Sequence, residues 1–376
     1  VLSTYHTQNN LLPLFICRMV ELTVRHGTCK MSAYGFATYS VILYGMFGDA
    51  KGGNKYAKLS LSMMAYTKAW HKQCKIFAAL YGFVFPRSEP LSSCLQPLMN
   101  AYQECTKMGE NEYAIINATI YSAISFQAGK DLESIAKFLS HVEKKAIEYN
   151  QTVTMEIVQP SRQTILNLMG GTDSPAMLEG EAISFKEFFS RAEENQRVHV
   201  SARLYLYQMR LAFMFEDLEL AVQMATKFRN VENNLLGKFE CCEFRFYDCL
   251  ICFTQGRRTN SEGLIELAYE SFNKMEEWAK DAPCNCEHKL VLLHAEQCHF
   301  SGKEIPAIEK YESAITLSSK NGFIQDHALS CERTAAYYLE NGDESKASYY
   351  YGKAHDAYLE WGAKAKADHM CRDSPF

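Results

Sequence analysis

A six-position pattern with constant spacing recurs along this chain, and it constrains the fold more than any other feature of the sequence. Near the C-terminus its successive steps are 3, 4, 5, 4 and 3 residues, and its positions are Ala335, Tyr338, Gly342, Ala347, Tyr351 and Ala354. Forty residues earlier, the same steps join Ala295, Cys298, Gly302, Ala307, Tyr311 and Ala314. This agreement in spacing and residue type indicates a structural repeat.

The spacing of the pattern is that of two helices joined by a turn. Steps of 3 and 4 place three residues on one face of a helix, and the glycine ends that helix because it adopts the left-handed conformation without strain. The step of 5 crosses the turn, and the steps of 4 and 3 follow one face of a second helix. The pattern therefore predicts a helical hairpin.

Weaker copies of the pattern occur earlier in the chain. Three of them keep all the steps, and their positions are Val41, Tyr44, Gly48, Gly53, Ala57 and Ser60; Ser122, Ser125, Gly129, Ser134, Phe138 and His141; and Met209, Ala212, Glu216, Ala221, Ala225 and Phe228. In a fourth copy, Cys249, Cys252 and Gly256 match the first helix. Residues 257–260 are interpreted there as an insertion before the second helix.

Together the copies predict about seven hairpins, preceded by a helix over roughly 10–26 that ends at Gly27. The hairpins span 30–68, 72–107, 111–149, 197–230, 234–281, 286–321 and 325–362. Stacked hairpins of this kind are typical of TPR-like (tetratricopeptide-like) proteins. We therefore expect an all-α fold, a TPR-like α–α hairpin solenoid wound as a right-handed superhelix, in one array or in two lobes.

Residues 150–196 do not fit the repeat and predict an irregular connector with short helices. Within this stretch, Thr164 to Met169 form an apolar helical run, and residues 170–175 are turn formers. Ser184 is expected to cap a helix over 185–194 through a Ser-x-x-Glu pattern that ends at Glu187. The predicted organisation is an N-terminal lobe over 1–149, the connector, and a C-terminal lobe over 197–376.

Composition and charge exclude several classes of function. The net charge is −5, the isoelectric point is near 6.2, and no block of like charges occurs, so a nucleic-acid partner is not expected. Apolar runs are too short to cross a bilayer, so membrane insertion is not expected. The fourteen cysteines lie within apolar helical patterns and are interpreted as reduced core residues, which favours a cytoplasmic protein.

Four runs of sequence resemble the TPR-like helical region of large multidomain signalling proteins. They are Glu21–Gly27, Tyr39–Asp49, Phe246–Leu250 and Trp361–Ala365. Proteins of that kind join this region to a serine/threonine-kinase-like domain, a predicted AAA-type ATPase, a GAF domain and often a histidine-kinase module. The resemblance implies that the chain is a fragment of such a protein or a stand-alone scaffold, and its start at Val1 favours a fragment.

The sequence offers no residue to which a catalytic or cofactor-binding role is assigned. It lacks the phosphate-binding loop of nucleotide-binding proteins and the His-Arg-Asp and Asp-Phe-Gly signatures of kinases. Ten cysteines and histidines are dense enough to consider as zinc ligands, but their spacing is not that of a known finger, and core packing is the preferred interpretation. They are Cys241, Cys242, Cys249, Cys252, Cys284, Cys286, His288, His294, Cys298 and His299.

The inner face of the first helices is the predicted partner-binding surface. Extrapolating the repeat places nine residues there, and they are Phe126, Arg203, Arg210, Phe213, Phe246, Phe253, Lys289, Glu296 and His299. A solvated groove would not carry so many large apolar groups. Three interpretations stay open: the connector 150–196 folds back and fills the groove, a partner peptide covers it, or the repeats are mis-phased.

The leading hypothesis is a non-catalytic protein-interaction scaffold that docks a partner or positions a sister domain in a signalling assembly. The alternative is a regulatory helical fragment of a larger kinase or AAA-type ATPase. An enzyme built on these helices is a distant third possibility. Lys364 to Pro375 is polar and expected to cap the array, whereas the first helix offers an apolar surface for a missing domain or a second copy.

Overall fold

The computed structural model describes residues 11–235 and 237–373. Within these ranges it contains eighteen α-helices and no β-strand, which confirms the all-α class. None of the helices in these ranges has the length and apolar character needed to cross a membrane. The helices are α1 Leu12–His26, α2 Ser32–Phe47, α3 Ala50–Tyr66, α4 Gln73–Ala79, α5 Leu91–Met108, α6 Asn111–Gln127, α7 Leu132–Glu148, α8 Thr152–Met169, α9 Phe185–Glu194, α10 Val198–Met214, α11 Leu218–Arg229, α12 Glu240–Thr259, α13 Glu262–Asp281, α14 Pro283–Phe300, α15 Glu304–Lys320, α16 Ile324–Glu340, α17 Glu344–Trp361 and α18 Lys364–Asp373.

Seven helix pairs, with α8 and α9 between the third and the fourth, coincide with the seven predicted hairpins, so the hairpin-repeat architecture is confirmed. The two helices pack against each other in the pairs α2/α3, α4/α5, α10/α11, α12/α13, α14/α15 and α16/α17. Helices α6 and α7 are the pair predicted over 111–149. The helix that precedes them all, α1, ends at Gly27 as expected.

The turn glycines of the clearest copies have the left-handed conformation that the pattern requires. Gly302 has a φ of 66° and Gly342 a φ of 78°. The alanines of the two copies on either side of these turns are buried where the paired helices cross. Glu216 occupies the equivalent turn position with a φ of 64°, a conformation that is strained for a residue with a side chain.

In two of the weaker copies, the predicted positions are shifted along the helix from those that the structure shows. After Gly129 the turn has one extra residue, Lys130, so that Asp131 rather than its predecessor caps α7. The buried face of α7 therefore contains Ile135, Leu139 and Val142 instead of the predicted Ser134, Phe138 and His141.

The turn after α12 also differs from the prediction. Gly256 does not end the helix, and residues 257–259 are one further helical turn rather than an inserted loop. The turn is formed by Asn260, whose φ is 50°. A Cβ at Gly256 would lie 2.6 Å from the Ile265 Cδ1 atom, so the glycine allows α12 and α13 to approach closely.

The chain divides into two compact units that do not coincide with the predicted lobes. The first comprises Val1–Ile124 and Leu236–Phe239, and the second Ser125–Leu235 and Glu240–Phe376. The division falls within α6, whereas the prediction separated two lobes at both ends of a connector over residues 150–196. The stretch 150–196 belongs to the second unit.

The first unit contains α1 to α5. Helix α2 packs on both α1 and α3, and the Ser60 hydroxyl donates to the Ala33 carbonyl at 2.6 Å across α2 and α3. A segment of π-helix and 3₁₀-helix over residues 80–87 joins α4 to α5. Cys74 and Cys105 form a disulfide between α4 and α5, which differs from the expectation that every cysteine is reduced.

In the second unit, the first helices of four hairpins (α10, α12, α14 and α16) form a closed cycle together with α8 and α18. Contacts connect α8 with α10, α10 with α12, α12 with α14, and α14 with α16. The Lys366 ammonium on α18 lies 2.6 Å from the Glu332 carboxylate on α16, and α18 also packs against α8. The array in this unit therefore returns to its own beginning.

Two elements of this cycle were not predicted. Helix α8 is continuous from Thr152 to Met169, with Pro160 inside it, where the sequence suggested irregular structure followed by a short apolar run. Helix α18 was expected to be a polar cap, but its Lys366 and Ala367 side chains are fully buried.

Helix α9 begins after Ser184 as predicted, but the predicted cap is absent. The Ser184 side chain accepts no capping hydrogen bond. The Glu179 carboxylate instead accepts from the Phe185 backbone N–H at 2.7 Å.

Candidate functional site

The predicted partner-binding residues lie in the interior of the second unit. Phe126, Arg203, Arg210, Phe213, Phe246, Phe253, Lys289 and Glu296 are buried, and His299 is half-buried. They contact one another and their neighbours on adjacent helices. Their role in binding a partner stays a prediction, and in this structure their contacts are within the chain.

A central charge cluster connects the first helices of four hairpins, α10, α12, α14 and α16. The Lys289 Nζ atom on α14 lies 2.7 Å from Asp326 Oδ2 on α16 and 3.0 Å from Glu243 Oε1 on α12. Arg210 Nη1 on α10 is 3.5 Å from Glu243 Oε2. The His288 Nε2 atom lies 2.8 Å from the same Asp326 oxygen. Each of these links crosses from one helix to another.

The cluster stabilises the charged forms of its central pair. Burial lowers the pKa of Lys289, but attraction by Asp326 and Glu243 outweighs burial and holds that pKa above its usual value. Burial raises the pKa of Asp326, and the charge of Lys289 with the hydrogen bond from His288 reverses this and holds it below the ordinary range. Burial lowers the pKa of His288, which favours a neutral imidazole.

Aromatic rings surround the arginine at the end of this cluster. The Arg210 Cζ atom is 4.3 Å from the centre of the Phe126 ring, 5.2 Å from that of Tyr247 and 5.7 Å from that of Trp361. Phe126 and Trp361 stack with ring centres 5.6 Å apart. Stacking of this kind suits a guanidinium, which is weakly hydrated.

A second charge cluster is centred on Glu296 of α14. Its carboxylate accepts from Arg333 Nε at 2.8 Å on α16, from Arg257 Nη1 at 2.9 Å on α12 and from the Tyr311 hydroxyl at 2.9 Å. Burial raises the pKa of Glu296, but the two arginines outweigh it and hold the pKa below its ordinary value. Glu296 therefore links three inner helices as a carboxylate.

The other predicted residues also pack within the chain. Arg203 Nε on α10 donates to Glu240 Oε1 at 2.9 Å. The Lys289 ammonium lies 4.6 Å above the Phe246 ring, and the Phe253 and Phe300 ring centres are 6.0 Å apart. His299 Nε2 lies 3.2 Å from Glu340 Oε2.

The cysteines and histidines considered as zinc ligands do not converge. Within residues 11–235 and 237–373, no group of three or more His, Cys, Asp or Glu side chains is placed to hold a metal ion. The Cys242 and Cys286 sulfurs are 3.5 Å apart, and the His294 ring packs on Phe272 with centres 4.9 Å apart. Burial raises the pKa of Cys249 well above its ordinary value, so this group is a thiol in the core.

Three buried amide side chains, which we call the amide cradle, form a second site that the repeat pattern did not indicate. They are Gln163 and Asn167 on α8 and Gln208 on α10. Residues 175–182, here called the strap, cross them without regular secondary structure. The Gln208 amide accepts from the Leu178 N–H at 2.8 Å and donates to the Ala176 carbonyl at 2.6 Å.

The amides of α8 bind the strap in the same way. Asn167 Nδ2 donates to the Pro175 carbonyl at 3.1 Å and also to the Met177 carbonyl. Gln163 Nε2 donates to the Glu179 carbonyl at 3.2 Å, and its Oε1 atom accepts from the Ala182 N–H at 2.7 Å. All six hydrogen bonds go to main-chain atoms of the strap.

The amide cradle shows how part of residues 150–196 packs on the inner side of the second unit. The strap belongs to that stretch and binds Gln163 and Asn167 of α8 and Gln208 of α10, none of which is among the nine predicted groove residues. The charged positions extrapolated from the repeat are engaged in their own clusters. A sequence signal did exist, because Gln163 and Asn167 are four residues apart and share one helix face.

Comparison with known proteins gives little further information. No family model matches the chain, and no curated protein matches it. One matching solved structure is described as a "Circular tandem repeat protein with novel repeat topology and enhanced subunit contact surfaces". The match covers 95% of this chain and 90% of that chain, with 12% identity and a TM-score of 0.24, and at that score it carries no argument.

Proposed function

We propose that this chain is a non-catalytic scaffold of helical hairpins that docks a protein partner or positions a neighbouring domain. The observation that carries the proposal is an exposed apolar face on α1 in the first unit. Leu14 is 65% exposed and Phe15 51% exposed. Leu11 and Leu22 are also exposed and lie on the same face by the 3.6-residue period of the helix.

This face has the character of a docking surface. Arg18 and Arg25 lie within it, and each has a nitrogen within 3 Å of the Glu21 carboxylate, at 2.7 Å and 2.8 Å. A helix face that combines exposed apolar side chains with charged groups is typical of surfaces that bind a helix of another protein. We infer that a partner helix packs along α1.

The interior of the second unit supports a structural role. Its inner charges are engaged between helices, as shown by Lys289 with Glu243 and Asp326 and by Glu296 with two arginines. Such links fix the relative positions of successive hairpins within that unit. A position beside a catalytic domain, as the resemblance to multidomain signalling proteins implies, is one form of the same function.

Site-specific photo-crosslinking in native cells tests the proposal. A photoreactive residue at Leu22 should crosslink to a discrete protein, and the change Leu14→Glu with Phe15→Glu should abolish that product. Because both side chains are exposed, these changes should leave the fold intact, which circular dichroism checks. Lys58→Glu on the exposed surface of α3 is the control and should have no effect. No discrete crosslink, or one that persists in the double variant, would contradict docking at α1.

A further inference from the structure

The strap is held by its main chain and contributes few buried side chains of its own. Six hydrogen bonds from the amide cradle reach its backbone. Of its side chains only Leu178 is buried, whereas Met177, Glu179 and Glu181 are exposed. The strap is not an extended strand, because its main chain makes turn hydrogen bonds such as that from the Met177 N–H to the Ser174 carbonyl. A segment anchored through its main chain nevertheless resembles a bound peptide, since recognition through the backbone is largely independent of sequence.

The amide cradle requires an occupant of this kind. Gln163, Asn167 and Gln208 are almost completely buried beneath the strap. Buried amide groups without hydrogen-bond partners are costly, so these side chains need either main-chain partners or solvent. Leu178 in the strap and Ile183 directly after it are the buried apolar side chains here. Segments with few buried side chains are the ones that open locally while the rest of a domain stays folded.

We propose that the amide cradle is a binding site for an acidic peptide of a partner protein, and that the strap occupies this site in cis. The inference extends the proposed docking function to a second surface and rests on different residues. Displacement of the strap opens the site, and the partner peptide then makes the same main-chain hydrogen bonds.

The strap itself indicates the chemistry of the partner peptide. Leu178 supplies one buried apolar anchor. Gly180 has a φ of 154°, which L side chains rarely adopt, and a Cβ there would lie 2.5 Å from Gln163 Nε2, so glycine is favoured two positions after the anchor. Glu181 Oε1 lies 2.5 Å from Arg162 Nη2 at the edge of the cradle. The expected motif is therefore an apolar residue, any residue, glycine and an acidic residue, in the turn-containing conformation in which the Gly180 N–H donates to the Ile183 carbonyl.

Peptide binding to the full chain tests the proposal. The probe is a fluorescein-labelled peptide with the sequence of residues 173–184, and binding is measured by fluorescence anisotropy. Wild-type chain should bind weakly because the tethered strap competes at high effective concentration. Leu178→Asp removes the anchor of the strap and should lower the Kd for the peptide at least about tenfold.

Matched controls separate binding from general disruption. Met177→Asp places the same charge on the exposed side of the strap and should behave like wild type. A peptide with Asp in place of its leucine should not bind either variant. Failure of folded Leu178→Asp to bind the peptide, or equal binding of the Asp-containing peptide, would overturn the proposal.

Hydrogen exchange of the wild-type chain keeps the proposal testable if Leu178→Asp does not fold. The amides of Leu178 and Ala182 should exchange at least about a hundredfold faster than those of α8, because the strap opens while the helix stays folded. Equal exchange of the strap and α8 would show that the strap does not open and would refute the proposal. Neither outcome affects crosslinking at α1, so this proposal and the proposed function fail separately.

Discussion

At the scale of single residues, Lys289 shows how a position predicted for a groove stabilises the fold. Its ammonium is buried and lies between Asp326 and Glu243, on two different helices. A buried charge costs free energy unless oppositely charged groups surround it, and each of these carboxylates depends on the lysine in the same way. The buried ammonium and the two buried carboxylates therefore each depend on the opposite charge of the other.

Removal of the lysine charge should destabilise the second unit. Lys289→Met keeps most of the side-chain volume but leaves Asp326 with its His288 hydrogen bond and without the lysine charge, and Glu243 with Arg210 at 3.5 Å, and should cost about 3–5 kcal/mol of unfolding free energy. The matched control is Lys137→Met, which breaks the exposed pair with Glu133 and should leave the free energy unchanged within error. Urea denaturation measures both. A cost of Lys289→Met no larger than that of the control would contradict the assignment.

The pKa shifts of the buried carboxylates predict acid sensitivity. The pKa values of Asp326 and Glu296 are lower in the folded chain than in the unfolded chain. Their contribution to stability is therefore complete above about pH 4.5 and is lost as the pH falls toward the folded values. Thermal melts from pH 6 down to about pH 2 should show a decline in the transition temperature. The decline should be shallower for Glu296→Gln. Identical slopes for the variant and the wild type would contradict the lowered pKa of Glu296 in the folded chain.

The direction of the inner side chains followed from the sequence, but their partners did not. Helical periodicity placed Lys289, Glu296 and Arg210 on one face, and the structure places all three inside. Lys289 and Asp326 are on different hairpins, however, and the rotation from one hairpin to the next decides which charges meet. A single sequence contains no information about that rotation, so an open groove and a closed interior were equally compatible with the pattern.

At the scale of helices, the same glycine-to-alanine change should have opposite effects in two places. A Cβ at Gly53 of α3 would lie 2.3 Å from the Tyr44 ring, whereas one at Gly263 of α13 would meet nothing within 4 Å. Gly53→Ala should therefore cost about 1–3 kcal/mol through overpacking. Gly263→Ala should stabilise by about 0.5–1 kcal/mol through helix propensity. Chemical denaturation measures both, and effects of the same sign would contradict the packing.

The phase errors at two turns have a common physical cause. A helix is ended by any residue that adopts the left-handed conformation, and Asn260 does so in place of the expected Gly256. After Gly129 the residue that follows does not cap the next helix, and Asp131 caps it one position later. The repeat pattern predicted the existence of these hairpins. The exact turn depends on local capping, which varies between repeats.

At the scale of the whole molecule, the repeat pattern did not predict that the second unit is closed. Helices α8 and α18 complete the cycle, yet neither carries the six-position pattern. Their contact joins segments that are far apart in the chain, as shown by Ala365, whose Cβ lies 3.9 Å from the position of a Cβ on Gly170. Long-range contacts of this kind leave no periodic signal in sequence.

Closure of the second unit decides whether its inner side chains are open to a partner, because a closed and internally paired interior places docking elsewhere. Hydrogen exchange of Ala365→Gln tests it most directly, with Lys364→Gln at the exposed neighbouring position as the control. In a closed cycle the buried substitution lowers protection in α18 and α8 together, whereas the control changes neither. Loss of protection confined to α17 and α18, with α8 unaffected, would show that the array is open and would contradict the account.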